Sequence, residues 1–221
     1  MPGLRERKKQ RTRELIADTA RRLFADRGFE RVTVAEVARE ADVSEATVFN
    51  YFPTKEDLFY SRLEAFEEEL LSAIREREPG ESALAAFQRF MLQPRGLLGS
   101  HDPEAIERLA ATTRVITESP ALLAREQRIF AGYTESLAGL LAEETGAKPG
   151  DIEPRVVANA LMGAHRALVH YSREQIAAGV RNPQLSRRVR AQGNRALTTL
   201  ESGLGDYAVK PAARSASSRS R

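Results

Sequence analysis

Apolar residues recur at three- and four-residue spacing along nearly the whole chain, from about residue 9 to residue 204, and no stretch alternates apolar and polar as a half-buried strand does. That periodicity confines the fold to the all-α class. Ile16, Ala20, Leu23 and Phe24 form one apolar face in a segment over 9–27 that stops at Gly28. Val34, Val37, Ala38 and Ala41 form the next, with Thr33 as its cap and Glu36 completing a capping box. A third helix follows Ser44, is expected to bury Val48, Phe49 and Phe52, and ends before Pro53, because the residue preceding a proline is pushed out of the α region. A fourth is predicted as one long helix over 55–78, opened by Thr54 and the acids Glu56 and Asp57. Further helices are predicted over 81–92, 103–117, 120–145, 152–179 and 183–204. The expected architecture is a three-helix head over 9–54, a rigid connecting helix over 55–78 and a larger bundle over 79–204.

Composition removes several classes of chemistry. A chain of 221 residues can bury a sizeable core, and its apolar runs are too short for a membrane span. No secretory signal is visible at the start, so the expected location is the cytoplasm. The chain has no Cys, which removes disulfides, thiolate metal sites and thiol nucleophiles. His101 stands in a Ser-His-Asp-Pro stretch whose adjacency means nothing for a catalytic triad, and His165 and His170 are five residues apart, off one helix face. With no glycine-rich phosphate loop either, no enzyme activity, cofactor or metal is expected.

The net charge is only +3, but it is unevenly spread: residues 1–13 carry +5, residues 205–221 carry +3, and the body between them is acidic. Both ends read as disordered, a basic arm over 1–8 and a small, polar tail over 205–221. A basic arm ahead of a folded segment suits phosphate binding, although solvated basic ends are common in proteins that never touch nucleic acid.

Residues 33–52 have the layout of a helix-turn-helix: a helix to Ala41, a tight turn through Asp42 and Val43, and a second helix capped by Ser44. Ala38 is small where the helices must cross, and Val43 and Val48 are apolar where the pair must pack on the first helix. The other face of the second helix, Glu45, Ala46, Thr47 and Asn50, is short and polar, as an element entering a major groove requires. Asn50 can pair bidentately with adenine, Glu45 can accept from cytosine N4, and the Thr47 methyl can meet a thymine methyl; an exposed Glu is more often solvated than base-reading, and phosphates repel it. Thr33 and Ser44 cap helices whatever the function.

Thr33-Val34, Val37-Ala38, Val43-Ser44, Thr47-Val48-Phe49, Tyr51-Phe52 and Lys55 with Leu58, at these spacings, resemble the TetR family of one-component bacterial transcription regulators over roughly residues 9–65. The resemblance implies a homodimer that binds an inverted-repeat operator in double-stranded DNA and responds to a small-molecule effector, most often as a repressor. It implies phosphate contacts from Thr33 and Lys55, and an outward recognition face bearing Thr47, Asn50 and Tyr51. The stretch Tyr51-Phe52-Pro53-Thr54-Lys55-Glu56, with Ser119-Pro120-Ala121-Leu122, resembles members that sense acyl-CoA-like ligands, so an acyl-CoA or fatty acid is the implied effector class. One departure is Asp42, where such turns usually carry Gly; Asp is among the few other residues that tolerate a left-handed backbone.

In the later helices Phe87, Phe90, Met91, Leu109, Thr113, Ile116, Phe130, Tyr133, Asn159, Met162, His165, Arg166 and Val169 mix bulk with polarity and are the candidate ligand-binding residues. Met162, His165 and Val169 share one helix face, which places His165 as a polar group in an apolar setting, while core filling is the competing explanation for each. Small residues at Ala160, Gly163, Ala164 and Ala167, and the stripe Leu185, Val189, Ala196, Leu197, Leu200 and Leu204, are candidates for a four-helix dimer interface or for packing within one chain. A constitutive or architectural DNA-binding dimer, whose bundle only dimerises, is the alternative; an all-α enzyme is the weaker one.

Overall fold

A computed structural model describes residues 3–61, 63–93 and 103–210, and every regular element among them is a helix. The head is α1 (Leu4–Arg27), α2 (Val34–Glu40) and α3 (Glu45–Tyr51). Next come α4 (Lys55–Phe59) and α5 (Leu63–Arg75). The bundle continues with α6 (Ala83–Leu92), α7 (Pro103–Glu118), α8 (Pro120–Thr145), α9 (Glu153–Ala177) and α10 (Gln184–Leu204). Helix α9 packs between α8 and α10, and α10 crosses α6. No helix of the described residues is long and apolar enough to cross a membrane.

Two cores divide the labour. Ile16, Leu23, Phe24, Val37, Val48 and Phe52 close the head, and Ile116 and Leu122 of the bundle join that same cluster. Phe87, Phe90, Leu137, Leu141, Leu161 and Met162 fill the bundle. The head and bundle therefore share apolar contact through the α7–α8 corner and do not meet only through a linker.

Several expectations need correction. The basic arm is helical from Leu4 onward, because Arg, Lys, Gln and Glu are good helix formers and extending an existing helix needs no new nucleus. Gln10 donates to Glu14 across one of its turns at 2.8 Å; Met1 and Pro2 lie outside the described residues. The expected single helix over 55–78 is two helices. Tyr60 ends α4, and its hydroxyl donates to the Leu122 carbonyl at 3.1 Å, while Tyr133 donates to the Leu63 carbonyl at 2.5 Å. Tertiary anchors on both sides of the break outweigh continuous helical propensity. Residues 205–210 are folded against the α5–α6 turn, with the Gly80 amide donating to the Lys210 carbonyl at 2.7 Å; residues 211–221, and the loop holding His101, lie outside the described residues.

Phe49 is not core. It is 47% exposed, because Val48 and Phe52 already occupy the inward face of the seven-residue α3. The apolar stripe of α10 is also spent inside the chain: Leu185 and Leu197 are buried, and Leu200 and Leu204 pack on the bundle core. Gly193 permits this approach, since a Cβ there would stand 2.6 Å from a Leu92 methyl and 3.3 Å from one of Leu168.

Candidate nucleic-acid interface and effector cavity

The turn between α2 and α3 is built from local chemistry. Thr33 accepts from the Glu36 amide at 3.2 Å while Glu36 accepts from the Thr33 amide at 2.8 Å, a reciprocal pair that holds the Glu36 carboxyl below the usual carboxylate range. Asp42 adopts φ 54° in the left-handed region, and the Val43 amide reaches back to the Ala38 carbonyl at 2.9 Å. Ser44 then accepts from the Thr47 amide at 3.1 Å and shares a 2.8 Å hydroxyl contact with Thr47.

On α3 the side chains of Glu45, Ala46, Phe49 and Asn50 are exposed along one face, and Thr47 is half-buried beside them. Tyr51 is not fully outward: it is half-buried against the head core. Lys55 is half-buried too, its Nζ 4.2 Å from the Phe29 ring centroid, and burial pushes its ammonium pKa down. Arg13 of α1 covers the Phe52 ring at 4.9 Å. The exposed apolar Phe49 is the member of this surface that periodicity assigned to the wrong side.

The expected ligand residues separate into groups. Phe90, Met91 and His165 line a cavity of about 160 Å3 with Phe66 of α5, Leu168 of α9 and Val189 of α10. Phe87, Phe130 and Met162 are packed in the core and Val169 packs against it; none of the four lines that cavity. Leu109 packs with Ile176 and Leu185 in a separate small cluster, Ile116 belongs to the head core, and Thr113 is buried. Asn159 and Arg166, seven residues apart on one face of α9, are exposed, and neither lines that cavity. Tyr133 borders a second, more polar cleft of about 270 Å3 with Asp57, Arg125 and Arg128.

His165 is 8% exposed, stacks on Phe66 with ring centroids 5.1 Å apart and meets Phe130 edge-on at 5.2 Å. Burial, with Arg166 adding to it, pushes its pKa down to about 4, so the ring is neutral at pH 7.

Side chains that periodicity did not single out join cavity, cleft and head. Arg173 of α9 grips Glu126 of α8 with two hydrogen bonds, at 2.8 and 2.5 Å. One residue earlier, Arg125 reaches Asp57 of α4, and Ser119 donates to Glu30 of the head at 2.6 Å. Pairs so far apart in sequence leave no local signal.

Residues 16–61 match the model of bacterial regulatory proteins of the tetR family, and residues 83–182 match the MftR C-terminal domain. The chain is 31% identical over 163 residues to the HTH-type transcriptional regulator TcmR of Streptomyces glaucescens, covering 71% of this chain and 70% of that protein. It is 29% identical over 177 residues to a protein named as a mycofactocin biosynthesis transcriptional regulator, MftR, of Mycobacterium tuberculosis, covering 76% of this chain and 84% of that one. The structure is similar to that of the transcriptional regulator FadR from Bacillus subtilis in complex with stearoyl-CoA, with a TM-score of 0.52 and 25% identity over 86% of this chain and 98% of that one. Helix order, the capped turn and these similarities agree: this chain belongs to the TetR family of bacterial DNA-binding transcriptional regulators.

Proposed function

We propose that this regulator is a homodimeric repressor that binds an inverted-repeat operator through α3 and leaves it when a largely apolar small molecule enters the bundle. The observation that carries the reading is the linkage of the two halves. The cavity wall on α9 continues through Arg173 and Glu126 to α8, and Arg125 on α8 holds Asp57 at the start of α4, directly after the DNA-facing helix. A ligand shifts an equilibrium only by binding two shapes differently, and a chain of paired side chains gives the bundle a means of favouring one head position.

In this reading Glu45, Ala46, Thr47 and Asn50 face base edges, and Thr33, Ser44, Tyr51 and Lys55 contact phosphates. Twofold pairing uses the outer face of α9, where Val156, Asn159 and Ala167 are exposed, because the apolar stripe of α10 is already covered. The stearoyl-CoA complex of FadR supports an acyl-CoA or fatty acid as one effector class. The complete burial of Phe87 and Met162 favours the second reading, a constitutive DNA-binding dimer whose bundle only dimerises.

Genome-wide footprinting followed by fluorescence anisotropy on the recovered operator tests the reading. Binding to a twofold-symmetric site that an effector reverses is expected. A monomer by light scattering at micromolar concentration, both free and on DNA, overturns the dimer. Operator affinity that no apolar ligand alters favours the constitutive alternative.

A further inference from the structure

The cavity between α5, α6, α9 and α10 has a size and a polarity that narrow what it can hold. Its volume is about 160 Å3. Apolar cavities of about 150 Å3 take up benzene-sized molecules, so the space seats one ring. The walls are apolar: Phe66 and Phe90 supply aromatic surface, and Met91, Leu92, Leu168 and Val189 supply the rest.

Polar groups on the lining set the chemistry. The Nδ1 of His165, a residue of the lining, is sealed away without a hydrogen-bond partner. An orphaned acceptor is tolerated better than an orphaned N–H, so the proton of the neutral ring belongs on Nε2. Arg190 of α10 borders the same cavity, is exposed to solvent, and pairs with no carboxylate among the described residues. Ser186 is already engaged, its hydroxyl 2.8 Å from Asn182 Oδ1. No Asp or Glu is among the described residues lining the cavity. Besides the Gln93 amide, the site therefore offers an imidazole N–H and a guanidinium, and no counter-charge for a cation.

We propose that this cavity binds a single-ring aromatic acid, with its ring against Phe66, Phe90 and Leu168, its carboxylate on Arg190 and a ring oxygen accepting from His165 Nε2. The inference rests on the effector reading above and deepens it by naming the ligand class. Because Phe66 sits on α5 just beyond the break at Tyr60, a ring that packs against it from the cavity displaces the helix that leads into the head.

Isothermal titration of the full chain with 4-hydroxybenzoate, benzoate, phenol, benzylamine and stearoyl-CoA tests the proposal. The two acids are expected to bind saturably, one per chain, with 4-hydroxybenzoate the tighter, and benzylamine is expected to give no binding. Arg190→Gln should weaken both acids at least tenfold and leave phenol within twofold. His165→Phe should erase the advantage of 4-hydroxybenzoate over benzoate. Arg190 is exposed, so its variant keeps the test decisive even if His165→Phe fails to fold. Benzylamine binding as well as benzoate, an unchanged acid affinity in Arg190→Gln, or saturable binding of stearoyl-CoA with none of the rings overturns it. In that last case operator release by stearoyl-CoA leaves the repressor reading standing, whereas absence of any specific operator removes that reading whatever the titrations give.

Discussion

Arg125 donates to the Oδ1 of Asp57 from Nε at 2.8 Å and from Nη2 at 2.6 Å, while the Oδ2 of the same carboxylate accepts from the backbone amide of Thr54 at 3.0 Å. One side chain thus caps the helix that follows the DNA-facing unit and ties that helix to the bundle.

Removing the two partners should therefore have unequal effects. Arg125→Ala loses one partly exposed ion pair, expected to cost about 1 kcal/mol or less. Asp57→Ala loses the pair and the capping box together, adding about 1 kcal/mol more. Urea unfolding of both single variants and the double variant measures this. Equal destabilisation by the two substitutions would show that the cap carries no weight.

His165 should make stability depend on pH. Its folded pKa of about 4 lies below its ordinary value of 6.5, so between those values the unfolded chain takes up a proton that the folded chain refuses. Stability contributed by the neutral ring is complete above about pH 6.5 and is lost as pH falls toward 4, a full swing of about 3 kcal/mol. The difference in urea midpoint between pH 7 and pH 5 should shrink in His165→Phe. An unchanged difference would assign the pH dependence elsewhere.

Asn50→Ala and Lys55→Met should fail differently on DNA. Losing Asn50 is expected to cost about 1–3 kcal/mol at particular base pairs and to relax specificity there. Losing Lys55 should weaken all sequences alike and lower the salt slope by about one unit, with Met keeping the apolar cover over Phe29. Titrations across operator variants and salt concentrations separate the two patterns.

Gly193→Val should destabilise the bundle by about 1–3 kcal/mol, since the new side chain meets Leu92 and Leu168 where α10 crosses α6. Thermal unfolding checks it; a melting temperature equal to wild type would mean that Leu92 yields freely.

Features written within a few residues were legible in the sequence. The Thr33–Glu36 box, the Ser44 cap and the left-handed Asp42 depend on neighbours in the chain, and the 120–145 helix bounds follow from Pro120 and Gly146. What periodicity cannot state is which surface an apolar face meets. It therefore could not tell that Phe49 stays outside, that Asn159 and Arg166 are exposed, or that Leu197 packs within its own chain. The break at Tyr60 was hidden for the same reason: its cause is a hydroxyl that finds a carbonyl 62 residues away.

Arg77 is 3% exposed, and its guanidinium donates to the carbonyls of Ile74, Glu81 and Ala208 and pairs with Glu144 at 2.6 Å. Those partners emerge from a ribosome at widely separated times. The head's core is complete once Ile129, the last side chain packed on it, has been made, so the head can close while synthesis continues; the buried charge near the middle of the chain must wait for residue 208 before its last acceptor exists. A nascent chain stalled in α10 would carry a finished DNA-facing unit on an unfinished bundle.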